Sequence, residues 1–259
     1  LEQYQGIINQ PHGMVLITGP TGSGKTTTLY ATLEKINSEA QKIITVEDPV
    51  EYQLDGITQI QANASIGLSF AQGLRSIVRQ DPDVLMIGEI RDHETAEIAI
   101  ESALTGHLVF STLHTNDAAG AVTRLQDMGV QGYLISSSLL AIQAQRLVRR
   151  VCTDCAEVHP LNIDEAAALE IDIDSIAEIR RSSGCERCGQ TGYRGRVGLY
   201  ELLIMTDAIR HHIAAGADAN IIRDEAIREG MKTLRQDALE KLSDGMTTPE
   251  EVVRVTRAI

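Results

Sequence analysis

Aromatic residues and long apolar runs are scarce in this 259-residue sequence, which contains no Trp, 2 Phe and 6 Tyr. No apolar stretch approaches the roughly 20 residues that a transmembrane helix needs, and the first residues do not resemble a signal peptide. Basic residues are not in excess either, because the formal net charge is −13 at pH 7. Since single-stranded nucleic acid is bound by basic grooves and aromatic platforms, this composition argues against a nucleic-acid partner. We therefore expect a cytoplasmic protein without direct membrane insertion.

The beginning of the chain is also unusual. The first residue is Leu1 rather than Met, and the first strand-like run begins only at Met14. We therefore expect this sequence to be a fragment whose upstream part is missing.

The first 150 residues alternate short, apolar, β-rich runs with stretches of helical periodicity. Runs that are apolar throughout are typical of strands covered on both faces. The strand-like runs lie at 14–18, 42–47, 83–89 and 107–112, and the predicted helices at 25–37, 69–80, 93–105, 117–128 and 132–148. This order predicts an α/β domain over residues 1–150 with a mainly parallel sheet.

The composition changes after residue 150. Residues 151–198 contain all four cysteines and a group of glycines, which predicts a small, turn-rich insert. Residues 199–259 have the pattern of several short helices and are predicted to form a C-terminal helical subdomain. Within it, Gly245 can end one helix, and Thr248 and Pro249 can begin the next.

The stretch "GPTGSGKTTTLY", residues 19–30, follows a predicted strand and opens a predicted helix, which is the context of a P-loop. The backbone amides of such a loop cradle phosphates, and the helix N-terminus favours their charge. Lys25 would reach the β- and γ-phosphates, and the Thr26 hydroxyl would bind magnesium. The residues expected to bind ATP are Gly19, Pro20, Thr21, Gly22, Ser23, Gly24, Lys25, Thr26 and Thr27.

Carboxylates follow two other predicted strands. Glu89 ends the run "DVLMIGE", where it can lie beside the magnesium ion and the attacking water. The run "VEDPVE" supplies Glu47, Asp48 and Glu51, and the residues alone leave the division of roles among them open.

Two histidines flank a further predicted strand. His107 and His114 lie at the two ends of "GHLVFSTLHT". Taken alone, each is more often a structural residue than a ligand.

Four motifs occur together in one order: "GPTGSGKTTTLY", "TVEDPVEY", "RQDPDVLMIGEIRD" and "TGHLVFSTLHTN". This set resembles the secretion ATPase superfamily, the hexameric motors of type II secretion and type IV pilus assembly. In that family the motifs are the Walker A motif, the aspartate box, the atypical Walker B motif and the histidine box. The resemblance covers nearly the whole chain and implies a RecA-like P-loop NTPase fold.

The resemblance also implies a role for each matching residue. It makes Lys25 and Thr26 the phosphate and magnesium residues, and Glu89 the catalytic carboxylate. Glu47 would help to polarise water. Further positions expected near the nucleotide are Asp48, Glu51, His107 and His114, with His114 also placed in catalysis; Arg91 and Arg124 match family positions without an assigned role.

Partners follow from the resemblance too. Family members form homohexamers, and their upstream domains provide arginines to a neighbouring nucleotide and dock on an inner-membrane platform protein and its cytoplasmic adaptor. We expect those domains to lie outside this sequence. We therefore expect nucleotide binding with weak hydrolysis, because an arginine finger contributes about 10³ to 10⁵ in rate. The protein would be cytoplasmic and peripheral to the inner membrane through its partners.

Three alternatives remain open for the function. The first is a nucleic-acid or conjugation motor, which predicts DNA-stimulated hydrolysis. The second is a pilus-retraction ATPase. The third is a zinc-stabilised interaction module that uses nucleotide binding only to switch conformation.

Two close cysteine pairs, Cys152 with Cys155 and Cys185 with Cys188, can provide four thiolates to one structural zinc ion. The intervening residues have the pattern of a helical excursion. Disulfides and free buried cysteines are the alternatives, and a cytosolic location disfavours disulfides. In the family that the chain resembles, this element is typical of secretion and pilus-assembly ATPases and is absent from retraction ATPases.

Arginines cluster around the cysteines. They form either a solvated surface with intersubunit pairs or a docking face for an acidic partner. These residues are Arg146, Arg149, Arg150, Arg180, Arg181, Arg187, Arg194 and Arg196.

Overall fold

The structure, a computed structural model, describes residues 2–176 and 178–256. Residues 257–259, the end of the predicted C-terminal subdomain, lie outside the described residues. The chain divides into two compact units. Unit 1 comprises Leu1–Ala144 and Leu202–Met231, and unit 2 comprises Gln145–Glu201 and Lys232–Ile259.

Unit 1 is built from parallel strands and the helices that connect them. Its strands are β1 (Gly13–Thr18), β2 (Ile43–Glu47), β3 (Thr58–Gln61), β4 (Val84–Ile87), β5 (Leu108–Leu113) and the first part of β6 (Leu139–Val151). Its helices are α1 (Glu2–Ile8), α2 (Lys25–Ile36), α3 (Phe70–Ile77), α4 (His93–Leu104), α5 (Ala118–Asp127) and α6 (Gly132–Ser138), with α8 (Asp207–Ala214) and α9 (Ala219–Arg228) from later in the chain.

One sheet organises these strands, in the order β3-β2-β4-β5-β1-β6, and continues to β9 (Tyr193–Ile204). The pairings of β1 with β5 and β6, of β2 with β3 and β4, and of β4 with β5 are all parallel. Every residue of β1, β2, β4 and β5 is buried, as expected for strands covered on both faces. The predicted α/β fold with a mainly parallel sheet is confirmed.

The predicted helix over residues 132–148 is wrong in its second part. Helix α6 ends at Ser138, and the chain continues as β6, which pairs with β1 from Leu139 to Ala144. Arg210 closes the end of the helix, because its guanidinium donates hydrogen bonds to the carbonyls of Ser136 and Leu139. Pairing along the edge of β1 outweighs the helical preference of this segment, which periodicity alone could not show.

The predicted segments 151–198 and 199–259 do not coincide with the two units. Helices α8 and α9 cluster with unit 1, whereas α10 (Leu234–Ser243) and α11 (Pro249–Thr256) cluster with unit 2. The helix ends follow the sequence signals. Gly245 follows α10 with φ 67°, and Pro249 is the first residue of α11.

Unit 2 contains the cysteine-rich insert. Its remaining elements are β7 (Ala156–Pro160), α7 (Ile163–Leu169) and β8 (Glu178–Ser182). The predicted helical excursion is therefore only partly helical, because β7 and β8 form an antiparallel pair around α7. Ala156 pairs with Ser182, which brings the segment after the first cysteine pair beside the segment before the second.

A buried carboxylate holds helix α11 in unit 2. Glu251 has a side-chain exposure of 1% and accepts hydrogen bonds from the Arg149 backbone at 2.7 Å and from the Arg254 guanidinium at 2.7 Å. The Arg149 guanidinium also lies 4.0 Å from the centre of the Tyr193 ring. Burial raises the pKa of Glu251, but the hydrogen bonds from Arg254 and Arg149 outweigh it and lower this pKa to about 2.

Replacing Glu251 by Gln is expected to lower the free energy of unfolding at pH 7 by about 3 kcal/mol. Because the folded pKa is depressed, this stabilisation is present above about pH 4.5 and is lost as the pH falls toward 2. Denaturant titrations at pH 7 and pH 3 measure the free energy of unfolding of both proteins and test its pH dependence. The exposed neighbour Glu250 provides the control, since Glu250→Gln should change stability by less than about 0.5 kcal/mol. An equal loss at both pH values would contradict the prediction.

Candidate functional site

The P-loop joins β1 to α2, and its backbone fits a phosphate. Gly22 and Gly24 have φ of 78° and 90°, which a residue with a Cβ rarely adopts. Gly24 is the N-cap residue of α2 and provides no side-chain cap, so the amides at the start of this 12-residue helix remain directed at the loop. By contrast, Asp92 and Asp117 cap α4 and α5 with their side chains. The start of α2 therefore has the geometry of a backbone anion site.

Lys25 lies at the mouth of this loop. Its Nζ donates hydrogen bonds to the Gly19 carbonyl at 2.8 Å and to the Pro20 carbonyl at 3.2 Å. Burial lowers the pKa of Lys25, and the charge of Glu89 opposes that shift. Thr26 follows in the first turn of α2 with an exposed side chain. These positions suit a cation that contacts phosphate and a hydroxyl that contacts magnesium.

Glu89 lies at the same edge of the sheet as the P-loop. Strands β4 and β1 both pair in parallel with β5, so the residues that follow them emerge at one edge. The peptide around Glu89 is fixed on β5, because Ile90 N–H donates to the Thr112 carbonyl at 3.0 Å and Thr112 Oγ1 to the Gly88 carbonyl at 2.7 Å. The side chain of Glu89 is 14% exposed. A carboxylate is thus held between the P-loop lysine and solvent.

Two further side chains contact Glu89. The Arg91 guanidinium forms an ion pair with Oε1, and His114 Nε2 lies 3.4 Å from Oε2. Both partners are more exposed than the carboxylate, at 62% and 49%. Arg91 had no assigned role in the sequence interpretation, and the structure brings it to the predicted catalytic carboxylate. Arg124, the other unassigned arginine, lies exposed on α5.

His114 and His107 lie at opposite ends of β5. His114 follows the carboxyl end, beside Thr115, whose hydroxyl is 2.7 Å from that of Thr18 at the end of β1. His107 precedes the amino end, where its carbonyl accepts from Gly13 N–H at 3.1 Å and its Nδ1 lies 2.9 Å from the Ser102 carbonyl. A six-residue strand spans about 20 Å. His107 therefore lies at the end of β5 away from the P-loop, whereas His114 lies at the P-loop edge, and a contact of His107 with the nucleotide stays a prediction.

Glu47 is the most buried of the predicted acidic residues, with an exposure of 3%. Its Oε1 accepts hydrogen bonds from Thr45 Oγ1 at 2.5 Å and from Gln59 Nε2 at 3.1 Å. Its Oε2 accepts from the hydroxyl of Tyr30. Three donors satisfy most of what a buried carboxylate requires. The other two acidic residues of the run, Asp48 and Glu51, are exposed.

The four cysteines form one cluster in unit 2, and their Sγ atoms all lie within 4.8 Å of one another. Cys152 and Cys185 are 3.9 Å apart, as are Cys155 and Cys188. A tetrahedral metal with bonds to sulfur of about 2.3 Å requires sulfur atoms about 3.8 Å apart, whereas a disulfide requires about 2.05 Å. The cluster therefore fits four thiolate ligands around one metal ion.

Backbone amides support a thiolate at Cys188. The N–H groups of Cys185 and Gly192 donate to its Sγ at 3.1 and 3.3 Å. Burial raises the pKa of Cys188, but these hydrogen bonds outweigh it and lower this pKa to about 6. His159 pairs with Glu157 at 3.8 Å and is not among the clustered residues.

Several arginines around the cluster are paired within the chain. Arg187 and Arg194 both contact Asp154, at 3.0 and 3.5 Å. Arg181 contacts Glu165 at 2.5 Å. These pairs reduce the local basic charge and favour the interpretation of a solvated, ion-paired surface over that of a docking face.

Residues 1–254 match the family described as Type II/IV secretion system protein. The chain belongs to this family. It is 51% identical over 251 residues to the type II secretion system protein E of Aeromonas hydrophila, which covers 97% of this chain and 50% of that protein. It is also 51% identical over 258 residues to the type IV pilus assembly ATPase PilB of Thermus thermophilus, covering 98% of this chain and 29% of PilB.

The chain shares its fold with a solved structure of a pilus motor. The pilus retraction motor PilT, determined with bound ADP, superposes with a TM-score of 0.73 at 30% identity, over 99% of this chain and 64% of that one. The chain spans about half the length of the type II secretion proteins that it matches. Within the described residues, the helices are too short or too polar to cross a membrane.

Sequence interpretation missed the residues that surround Glu47. Tyr30 lies within the predicted P-loop helix but was given no role of its own, and Gln59 lies on β3, a strand that was not predicted. Strand β3 has a half-exposed, polar sequence without apolar alternation. The available signal was the spacing of Tyr30 with Leu29 and Leu33, which places all three on the buried face of α2.

Proposed function

We propose that this chain is the nucleotide-hydrolysing part of a hexameric motor ATPase that powers type II protein secretion or type IV pilus assembly. One observation carries the proposal. The P-loop, Glu89 and His114 lie at the same edge of one parallel sheet, in a chain that belongs to the Type II/IV secretion system protein family. Relatives named as type II secretion protein E and as PilB are both 51% identical to the chain, so they support the two systems equally.

The residues at that edge divide the chemistry among them. Backbone N–H groups within residues 19–24, where Pro20 has none to donate, and the ammonium of Lys25 would bind the phosphates, and the Thr26 hydroxyl would bind magnesium. Glu89 would orient the attacking water and accept its proton. His114, 3.4 Å from Glu89, would contribute a further contact to the transferred phosphoryl group. Glu47 would help to polarise the attacking water, and Asp48 and Glu51 would lie on the exposed side of the same acidic run.

The metal held by the four cysteines is proposed to be zinc. A closed tetrathiolate site in a turn-rich element is typical of structural zinc, and no cysteine belongs to the P-loop motifs. Zinc here would stabilise unit 2 and take no part in hydrolysis.

The partners proposed are other copies of the same chain, an inner-membrane platform protein and its cytoplasmic adaptor. ATP and ADP would favour different arrangements of the ring, and this difference would move the partner. The motor would be cytoplasmic and held at the inner membrane through these proteins. Nucleic acid is not proposed as a partner, because the net charge is −13.

Replacing Lys25 by Ala in the full-length protein is expected to weaken ATP binding roughly 10- to 100-fold, because a charge-assisted contact to phosphate is lost. Titration with a fluorescent ATP analogue measures the Kd. Lys35 lies exposed in the last turn of the same helix, so Lys35→Ala is the matched control and should leave the Kd within about 2-fold. An unchanged Kd for Lys25→Ala, or wild-type protein that does not hydrolyse ATP, would contradict the proposed function.

A further inference from the structure

We propose that Tyr30 is a positioning residue for hydrolysis, whose hydroxyl fixes the acidic run of residues 46–51 against the P-loop helix α2. The inference rests on the proposed function. The Tyr30 hydroxyl would keep the acidic run at a fixed position relative to the phosphate-binding residues. Tyr30 itself would contact neither the phosphates nor the attacking water.

Tyr30 belongs to the same rigid element as the phosphate-binding residues. It follows Lys25 by five positions on α2, which corresponds to about 7.5 Å along the helix. Its side chain is 0% exposed and packs in the core cluster with Leu33 and Phe110. Any displacement of the first turn of α2 therefore carries Tyr30 with it.

All three hydrogen-bonding positions of the Tyr30 hydroxyl are used. It donates to Glu47 Oε2, and it accepts from Glu51 N–H at 3.2 Å and from Gln59 Nε2 at 3.3 Å. Burial and the hydrogen bond to Glu47 raise the pKa of Tyr30 to about 12, so the phenol keeps its proton at neutral pH and remains the donor. One hydroxyl thus contacts the strand end, the loop after it and the neighbouring strand.

The loop after β2 is held by the same tyrosine. The ring of Tyr52 packs edge-on against that of Tyr30, with centroids 4.6 Å apart. Gln59 reinforces the arrangement, because its Nε2 also donates to the Tyr52 carbonyl at 3.2 Å and its Oε1 accepts from Leu54 N–H at 2.7 Å. Between its two ends, this loop carries the exposed carboxylates Asp48 and Glu51. Their position relative to α2 therefore depends on the Tyr30 hydroxyl.

Loss of the hydroxyl should affect turnover more than binding. The phosphate-binding amides and Lys25 precede Tyr30 and do not contact its hydroxyl, so ground-state affinity should persist. A carboxylate run displaced by about 1 Å would lower the rate, because reacting groups must be held in a narrow geometry.

The experiment compares Tyr30, which lies on α2, with Tyr4, which contacts α2 from outside. Tyr30→Phe removes the hydroxyl and keeps the ring, and in full-length protein it should lower kcat for ATP hydrolysis about 10- to 100-fold with the Kd for labelled ADP within about 2-fold. Tyr4 is the matched control, because its hydroxyl lies 2.9 Å from Thr32 Oγ1 on α2, away from the acidic run. Tyr4→Phe should leave both values within about 2-fold. Thermal unfolding of both variants accompanies the kinetics.

Three other outcomes are informative. If Tyr30→Phe and Tyr4→Phe have the same kcat, or if Tyr30→Phe weakens ADP binding as much as it lowers kcat, the positioning role is overturned. If Tyr30→Phe does not fold, Thr45→Val takes its place, because it removes a different donor to Glu47, and a kcat equal to that of wild type then overturns the inference. If wild-type protein does not hydrolyse ATP, the proposed function fails, and the inference fails with it.

Discussion

Replacing Glu89 by Gln is expected to lower kcat for ATP hydrolysis by about 10² to 10⁴-fold while leaving ATP bound. Glutamine has the shape of glutamate but is not a base at neutral pH, so the substitution removes the proposed general base without creating a cavity. ATP binding should persist, because the phosphates would be held by the loop amides and by Lys25. These groups follow β1, whereas Glu89 follows β4. The measurement is steady-state hydrolysis by the full-length protein together with the Kd for an ATP analogue.

The control for Glu89→Gln is another glutamate replaced in the same way. Glu94 lies in the first turn of α4, is about half exposed and pairs with Arg75 at 2.5 Å. Glu94→Gln should leave kcat within about 2-fold, because an exposed ion pair contributes little. Turnover by Glu89→Gln equal to that of wild type would contradict the assignment of Glu89. Loss of ATP binding would instead indicate that the carboxylate organises the P-loop.

The parts of the fold that were predictable from sequence are those in which local pattern and burial agree. β1, β4 and β5 are buried throughout, consist mostly of apolar residues and lie between helices, so their positions could be assigned to within a residue or two. Because parallel strands end at one edge, the P-loop, Glu89 and His114 could be expected to converge.

The prediction was wrong where pairing partners decide the structure. Residues 139–148 contain leucine, alanine, glutamine and arginine, which are good helix formers, and yet they form part of β6. A strand next to β1 pairs with the backbone N–H and C=O groups that β1 would otherwise leave unpaired at its edge. This pairing joins residues far apart in sequence, so a short stretch of sequence cannot reveal it. β3 was missed for a similar reason, since its half-exposed residues carry no apolar pattern.

The histidines show the limit of motif-based assignment. His107 and His114 belong to one short motif, but the intervening strand β5 separates them by its full length, so membership of the motif does not by itself place both at the P-loop edge. Glu47 shows a different limit. Its position at a strand end was predicted, but its burial among Tyr30, Thr45 and Gln59 depends on side chains that α2 and β3 bring to that point from other parts of the chain.

Removal of the proposed zinc ion from the cysteine cluster is expected to unfold the insert of unit 2. Apparent binding free energies for structural zinc are about 10 to 16 kcal/mol in small zinc domains, which exceeds the stability of most elements of this size. Cys155→Ser should therefore lower bound zinc from about one ion per chain to near zero. Hydrogen exchange should then lose protection in β7 and β8, whose pairing places the two cysteine pairs together.

The control for Cys155→Ser is a substitution at His159. His159 lies on β7 near the cluster in sequence but pairs with Glu157, so His159→Ala should retain zinc and protection. Metal-free protein with reduced thiols and full protection of β7 and β8 would show that the insert is held by its core and by the Asp154 ion pairs alone. That outcome is not expected. The strand pairing that closes the insert covers five residues on each side, and a hairpin of this size is marginal without a further constraint.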